Sequence, residues 1–286
     1  ICKPGRVRKM KALLEPIKEI ARFDELFRDL KKGTAGVTVI SGCLESQKAH
    51  MIAGLSEDAP VRLLIAENEL KAKELYEDYR LYDAETLYYP AKDLIFYQAD
   101  IHGNLLIRQR LQVIQALLER KEVTIITSVG GCMDFLLPLG VFEKHCIHLR
   151  NDSELDLVKI RKELVRLGYE STFQVESTGQ FSVRGGILDI YPLTEQNPIR
   201  IELWGDEIDS IRSFDAESQR SIENLEEITI YPASELILTE DTIARGVKAI
   251  KKEAKAQSTK FRDKMMTEEA ARIRHAAEEI CDQIGE

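Results

Sequence analysis

The chain has 286 residues, 44% hydrophobic and 31% charged, and its 40 basic and 49 acidic side chains give a formal net charge of -9. That length predicts one to three domains, and 8 prolines with 16 glycines argue against long disordered or collagen-like segments. The acidic balance disfavours a whole-surface nucleic-acid binder while leaving room for a local basic patch. No run approaches the roughly 18 apolar residues needed to span a membrane.

The five cysteines, Cys2, Cys43, Cys132, Cys146 and Cys281, are widely spaced and odd in number, which predicts buried, reduced thiols. The chain starts at Ile1 with a basic and then amphipathic stretch, not an apolar signal core. The expectation is a fragment or processed chain of a reducing, cytoplasmic compartment. His145, Cys146 and His148 are metal-ligand types, but a strand would turn the first two to opposite faces and no second ligand pair lies near. No metal is expected.

Met10, Leu13, Leu14, Ile17, Ala21 and Phe27 recur at helical spacing and predict an opening helix, ended by a turn at 33–36. A β-branched run at 37–41 predicts a strand, 45–55 a helix, 61–66 a strand, 69–79 a helix and 86–89 a strand. After a loop at 93–103, the helix 105–119 carries Leu111, Ile114, Leu117 and Leu118 on one stripe, and 123–127 is an uncharged β-branched strand. Alternating strands and helices imply a mostly parallel sheet with helices on its faces.

The pattern changes after about residue 145. Leu157, Ile160, Leu164 and Leu167 mark a helix that Gly168 stops. Short strands follow at 172–175, 181–183, 187–191, 199–203 and 208–214, and loops at 177–180 and 205–207 fit antiparallel hairpins. One more strand is expected at 228–230. From about residue 241 the chain reads as charged helix, with Ile243, Val247, Ile250, Phe261, Ile273 and Ile280 as an apolar stripe. The cations at 248, 251, 252, 255, 260, 262 and 264 read as a solvated face, with phosphate contact as the alternative.

A phosphate-cradling loop needs a strand, a glycine-rich turn and a helix N-terminus, in the order glycine, four residues, glycine, lysine, hydroxyl. Gly42 and Lys48 stand at two of those places. Gln47 replaces the second glycine, and Ala49 replaces the hydroxyl that would hold Mg²⁺. The strand at 123–127 runs into Ser128 and Val129, not into an acidic pair. The loop is degenerate, and nucleotide hydrolysis is not expected.

The most specific string runs Thr178-Gly179-Gln180-Phe181-Ser182-Val183-Arg184-Gly185-Gly186-Ile187-Leu188-Asp189-Ile190-Tyr191-Pro192. With Trp204-Gly205-Asp206-Glu207-Ile208 and Phe214-Asp215-Ala216-Glu217, and with Tyr89-Pro90-Ala91-Lys92-Asp93 upstream, it resembles the amino-terminal region of bacterial transcription-repair coupling factors. That region is itself similar to the excision-repair protein UvrB. UvrB would keep an intact phosphate loop and a long aromatic hairpin after the position of Tyr97; both are missing.

The resemblance implies an α/β fold in which a RecA-like domain with a degenerate P-loop is interrupted by a small α+β insert. The division is 1–145, then 146–220 as the UvrA-binding insert, then 221–286 as the return segment. It also implies UvrA as partner, contacted at Arg184 with Phe181 and Tyr191 flanking. Strand aromatics more often fill the core, and Arg184 could simply pair with Asp189 or Glu202. Related proteins carry further basic residues where this chain has Ser171 and Ser182. ATP, Mg²⁺, RNA polymerase and DNA are implied only for downstream domains of the parent protein, which would also contact this region. A UvrB-like ATPase and a DNA-binding module remain the alternatives.

Overall fold

The computed structural model describes residues 11–20, 22–32, 36–92, 100–237 and 240–285. Cys2, Met10, Ala21, the turn residues 33–35, Asp93 and Tyr97 lie outside them. The opening helix is broken: α1 (Lys11–Leu14) passes into a 3-10 turn (Glu15–Glu19) before α2 (Phe23–Lys32). Pro16 explains the break, because its ring removes a donor and crowds the preceding turn.

The first α/β unit holds α3 (Glu45–Leu55), β1 (Val61–Ala66), α4 (Glu69–Tyr79), β2 (Thr86–Tyr89), α5 (Asp100–Leu118) and β3 (Val123–Ser128). The side chain of Asn68 caps α4 by accepting from Lys71 N at 2.9 Å. The three strands pair in parallel in the order β1-β3-β2. β3 is central and buried throughout. One sheet face packs Leu64 and Ile126 with Leu14, Ala49, Ala53 and Tyr79. The other packs Val123 and Ile125 with Tyr89, Val113 and Ala116, the last two from α5.

The expected strand at 37–41 does not form: Val37 is 92% and Val39 84% exposed, and no ladder includes them. A β-branched run becomes a strand only where a neighbouring edge satisfies its backbone and a face covers its side chains. Among the described residues, no such neighbour is offered.

Two short helices, α6 (Val129–Met133) and α7 (Leu139–Lys144), lead to β4 (Ile147–Arg150) and then α8 (Leu157–Arg166). Asp156 caps α8, accepting from Val158 N and Lys159 N. Gly168 ends it at a φ of +90°, where a Cβ would also lie 2.8 Å from Ser234 Cβ. Then come β5 (Glu170–Ser171), β6 (Gln180–Arg184), β7 (Ile187–Ile190), β8 (Ile199–Trp204), β9 (Glu207–Phe214) and β10 (Ser221–Leu225). They form one sheet in the order β10-β9-β8-β7-β6-β5.

All its pairings are antiparallel except β5 with β6, which is parallel. The expected strand at 172–175 is therefore replaced by the shorter β5 and a loop. Gln180 Oε1 accepts from Glu176 N and Ser177 N, which folds that loop back on itself and reverses the chain a second time.

β11 (Glu227–Ile230) pairs antiparallel with β4 as a separate two-stranded ladder. The inner face of the six-stranded sheet places Phe181, Leu188, Ile190, Ile201 and Ile208 at 0% exposure. It packs on Ile160, Leu164 and Leu167, and the same cluster continues through Phe142 into Leu111 and Ile114 of α5. Each fully buried Leu, Ile or Phe contributes ~1.5–3 kcal/mol. The six-stranded sheet and the first α/β unit thus share a continuous core.

The chain continues in α9 (Glu240–Asp263) and α10 (Thr267–Gly285), which pack together. Their seam uses Ala270, Ala277 and Cys281, with Ser258 Oγ donating to Ala270 O, while Ile280 of the expected stripe is 46% exposed. Ile243, Val247, Ile250, Phe261 and Ile273 of that stripe are half-buried, so the small residues extend the seam that the bulky positions mark. Among the described residues no helix is long and apolar enough to cross a membrane.

Arg110 of α5 is 1% exposed. Its guanidinium pairs with Glu235 through Nε and, at 3.0 Å, through Nη2; it also donates to Asp134 at 3.0 Å, Pro90 O at 2.5 Å and Tyr89 Oη at 2.5 Å. Lys92 adds a 2.8 Å contact to Glu235 and its backbone N donates to Asp134 at 2.7 Å. Breaking a buried pair leaves an uncompensated charge, at a cost of ~3–5 kcal/mol. Arg110→Ala should show a loss of that size in denaturant unfolding, whereas Glu235→Gln, which keeps an acceptor, should lose less.

Candidate functional site

The outer face of the six-stranded sheet is as polar as its inner face is apolar, because successive side chains on each strand alternate between the two. Register places Ser182, Asp189, Arg200 and Arg212 in one row across β6 to β9, and Arg184, Ile187, Glu202 and Ser210 in the next. Asp189, 1% exposed, is the centre of the first row. Its Oδ1 accepts from Arg200 Nε at 2.6 Å, and its Oδ2 accepts from Arg200 Nη2 at 2.8 Å and Arg184 Nη2 at 2.9 Å.

Arg200 therefore closes Asp189 in bidentate fashion, and it also stacks 4.5 Å over the Phe214 ring. The Arg184 side chain remains 38% exposed. Among the described residues it donates only through Nη2, and its guanidinium lies 5.6 Å over the ring of Phe173. The pairing of Arg184 with Asp189 is realised, the one with Glu202 is not. Glu202 instead holds Arg212, whose Nε is buried without a partner.

Phe181 is wholly buried in the core, so its ring supports the sheet from beneath and offers no surface to a partner. Tyr191 is half-buried just past β7, and its hydroxyl donates to Gln196 O at 2.7 Å. Ser182 is 1% exposed and donates to Phe173 O at 2.8 Å, while Ser171 is exposed at the end of β5. Phe173 and Arg200 carry no motif of their own. The only signal for Arg200 was its cross-strand position opposite Asp189, which becomes readable once the hairpin register is known.

The residues around the expected phosphate loop do not fit a nucleotide. Among the described residues no strand precedes Gly42, and no phosphate-loop motif is discernible. Gln47 Oε1 accepts from Leu44 N at 3.1 Å, occupying the helix start, and Lys48 Nζ pairs with Glu45 at 2.6 Å. Ala49 is 1% exposed within the apolar cluster of Leu14 and Leu64. The metal-ligand types at 145–148 are also dispersed. His145 Nδ1 contacts Val141 O, His148 Nδ1 contacts Thr229 Oγ1, and burial pushes the Cys146 thiol up to about 11. Among the described residues, no group of three or more His, Cys, Asp or Glu could hold a metal ion.

The sheet that carries this face lies within residues 147–236, which match a family model described as the UvrB interaction domain. The chain is 37% identical over 230 residues to the transcription-repair-coupling factor of Staphylococcus aureus (strain USA300), covering 79% of this chain and 20% of that protein. It is 33% identical over 277 residues to the transcription-repair-coupling factor of Bacillus subtilis (strain 168), covering 91% and 23%. The region is homologous to bacterial transcription-repair coupling factor. It spans about a fifth of the length of the coupling factors it matches.

Within the Asp189 cluster of this coupling-factor region, loss of the buried carboxylate and loss of the exposed arginine predict unequal costs. Asp189→Ala strips Arg200 of its buried counter-charge and should cost roughly 2–4 kcal/mol in denaturant unfolding. Arg184→Ala leaves the Asp189–Arg200 pair intact and removes only an exposed, screened contact, so it should cost below about 1 kcal/mol.

Proposed function

We propose that this coupling-factor region is a non-catalytic recruitment module. It presents the outer face of its six-stranded sheet, with Arg184 at the contact, to UvrA, and so brings excision repair to RNA polymerase stalled at a DNA lesion. The observation that carries this reading is the spare capacity of Arg184. Asp189 is already closed by Arg200, so the exposed Arg184 fork can offer paired donors to a partner carboxylate while the fold stays intact. The description of the matched domain and the names of the matched relatives support it.

In this reading, residues 1–145 and 221–286 form a RecA-like scaffold and 146–220 the inserted docking domain, whose sheet takes its edge strand β10 from the return segment. Tyr191 borders the contact, and Phe181 backs it from the core. Work driven by ATP and Mg²⁺, and the contacts with polymerase and DNA, belong to other parts of the coupling factor, which also mask this sheet until UvrA is needed. A UvrB-like ATPase is the weaker reading, because Gln47 and Lys48 already make local bonds and Ala49 is buried among apolar side chains.

The chain should bind purified UvrA in calorimetry. Arg184→Ala should weaken binding by roughly 2–4 kcal/mol, the range of a central desolvated contact, and Arg184→Glu should weaken it further, with neither change lowering the melting temperature by more than a degree or two. Wild-type affinity in both variants would remove Arg184 from the contact; no binding at all would sink recruitment. Magnesium-dependent ATP turnover above background would instead revive the ATPase reading.

A further inference from the structure

The outer face ends in two large aromatics that no core uses. Phe173 is 82% exposed and Trp204 85% exposed. Strand directions bring them to one end of the sheet. β5 runs parallel to β6, and β6 runs into the Gly185-Gly186 turn; β8 runs antiparallel to β7 and so reaches the same end at Trp204. Leu203 N donates to Gly186 O at 2.8 Å, which fixes the β8 end beside that turn. Trp204 pairs across to Glu207, and Leu203, one residue earlier, points to the core with Ile208, so Trp204 lies on the outer face with Glu202.

Phe173 is held there as well. Its carbonyl accepts from the buried Ser182 hydroxyl, and its ring carries the Arg184 guanidinium at 5.6 Å. Exposed Trp, Phe and Arg set together on a rigid end are the residue types that anchor protein interfaces, because their loss of solvent gives much area for little lost freedom. Two guanidinium groups, Arg184 and Arg200, share the single carboxylate of Asp189, which leaves one positive charge at the centre. Exposed Asp206, Glu207 and Asp209 border the Trp204 side. Those carboxylates oppose a phosphate backbone, so the face suits protein and not nucleic acid.

We propose that Phe173 and Trp204 are the apolar anchors on either side of Arg184, and that the partner surface they accept is an acidic side chain set between apolar ones. This rests on the recruitment reading above. Ser182 is then a positioning residue, since its hydroxyl fixes Phe173 against Arg184.

Trp204 is the single tryptophan of the chain, so a fluorine-labelled tryptophan gives one NMR resonance from this site. Adding purified UvrA should shift or broaden that resonance. Phe173→Ala and Trp204→Ala should each raise the calorimetric Kd at least ~10-fold without lowering the melting temperature. Trp204→Tyr, which keeps a ring, should recover most of the affinity. Both aromatics are exposed, so their truncation leaves no cavity to unfold the chain.

The inference is overturned, with recruitment left standing, if Arg184→Ala weakens binding while both aromatic truncations bind like wild type. A resonance unmoved in the saturated complex overturns it equally. A resonance moved by short duplex DNA at physiological salt and not by UvrA overturns it in favour of nucleic acid. Failure of the wild-type chain to bind UvrA removes both readings.

Discussion

A guanidinium at 1% exposure must have its charge and its donors met by protein, and Arg110 is met largely by Glu235, 125 positions further along the chain. That requirement brings the segment after β11 back against α5 and β2. The β11 ladder with β4 then closes the base of the six-stranded sheet, whose inner face runs into the same core as α5. Ion pairs of this kind add little net stability over apolar packing but are costly to break. Their consequence is to make other placements of the return segment unfavourable. Tyr89, Pro90 and Lys92, conspicuous in sequence as part of a family string, are explained by that junction, where burial also pushes the Tyr89 phenol up to about 12.

The same rigidity governs the proposed docking face. Phe181, Leu188 and Ile190 lock the inner side of β6 and β7, so the outer side chains on those strands start from fixed backbone positions. Asp189 and Arg200 fix one row further by bidentate pairing. What remains adjustable is the far half of the Arg184 guanidinium and the two exposed rings. An interface of this type loses little ordering entropy on association, because only a few side chains have to be immobilised.

Most of the first unit was legible in the sequence because its elements are locally determined. The bounds of α3, β1, α4 and β2 coincide with the reading from periodicity and caps. The failures have separate causes. Residues 37–41 have strand composition but no ladder, and 172–175 lost their strand to a loop held by Gln180. The apolar stripe of α9 and α10 is half-buried except at Ile280, and the fully buried positions of the seam are small residues that such a stripe undervalues. At the proposed docking face, Arg184 stood out through a family string, whereas Arg200 became visible only through register, and Phe173 only through the Ser182 bond that positions it. Phe181, read as a possible flank, is core because its strand position puts it on the inner side.

The degenerate loop shows how a local motif is judged by what its residues touch. A helix start presents unsatisfied N–H groups, which either face an anion or find partners within the chain. At α3 the Gln47 side chain takes the Leu44 N–H, Glu45 takes the Lys48 charge, and Ala49 is committed to the apolar cluster beneath. The side chains that would meet phosphate and metal are thereby used for local order. The two parts of the fold thus meet opposite demands: around α3 polar groups are satisfied internally, while on the six-stranded sheet one arginine is left with donors to spare. A chain with this distribution is suited to presenting a surface, as the recruitment proposal requires.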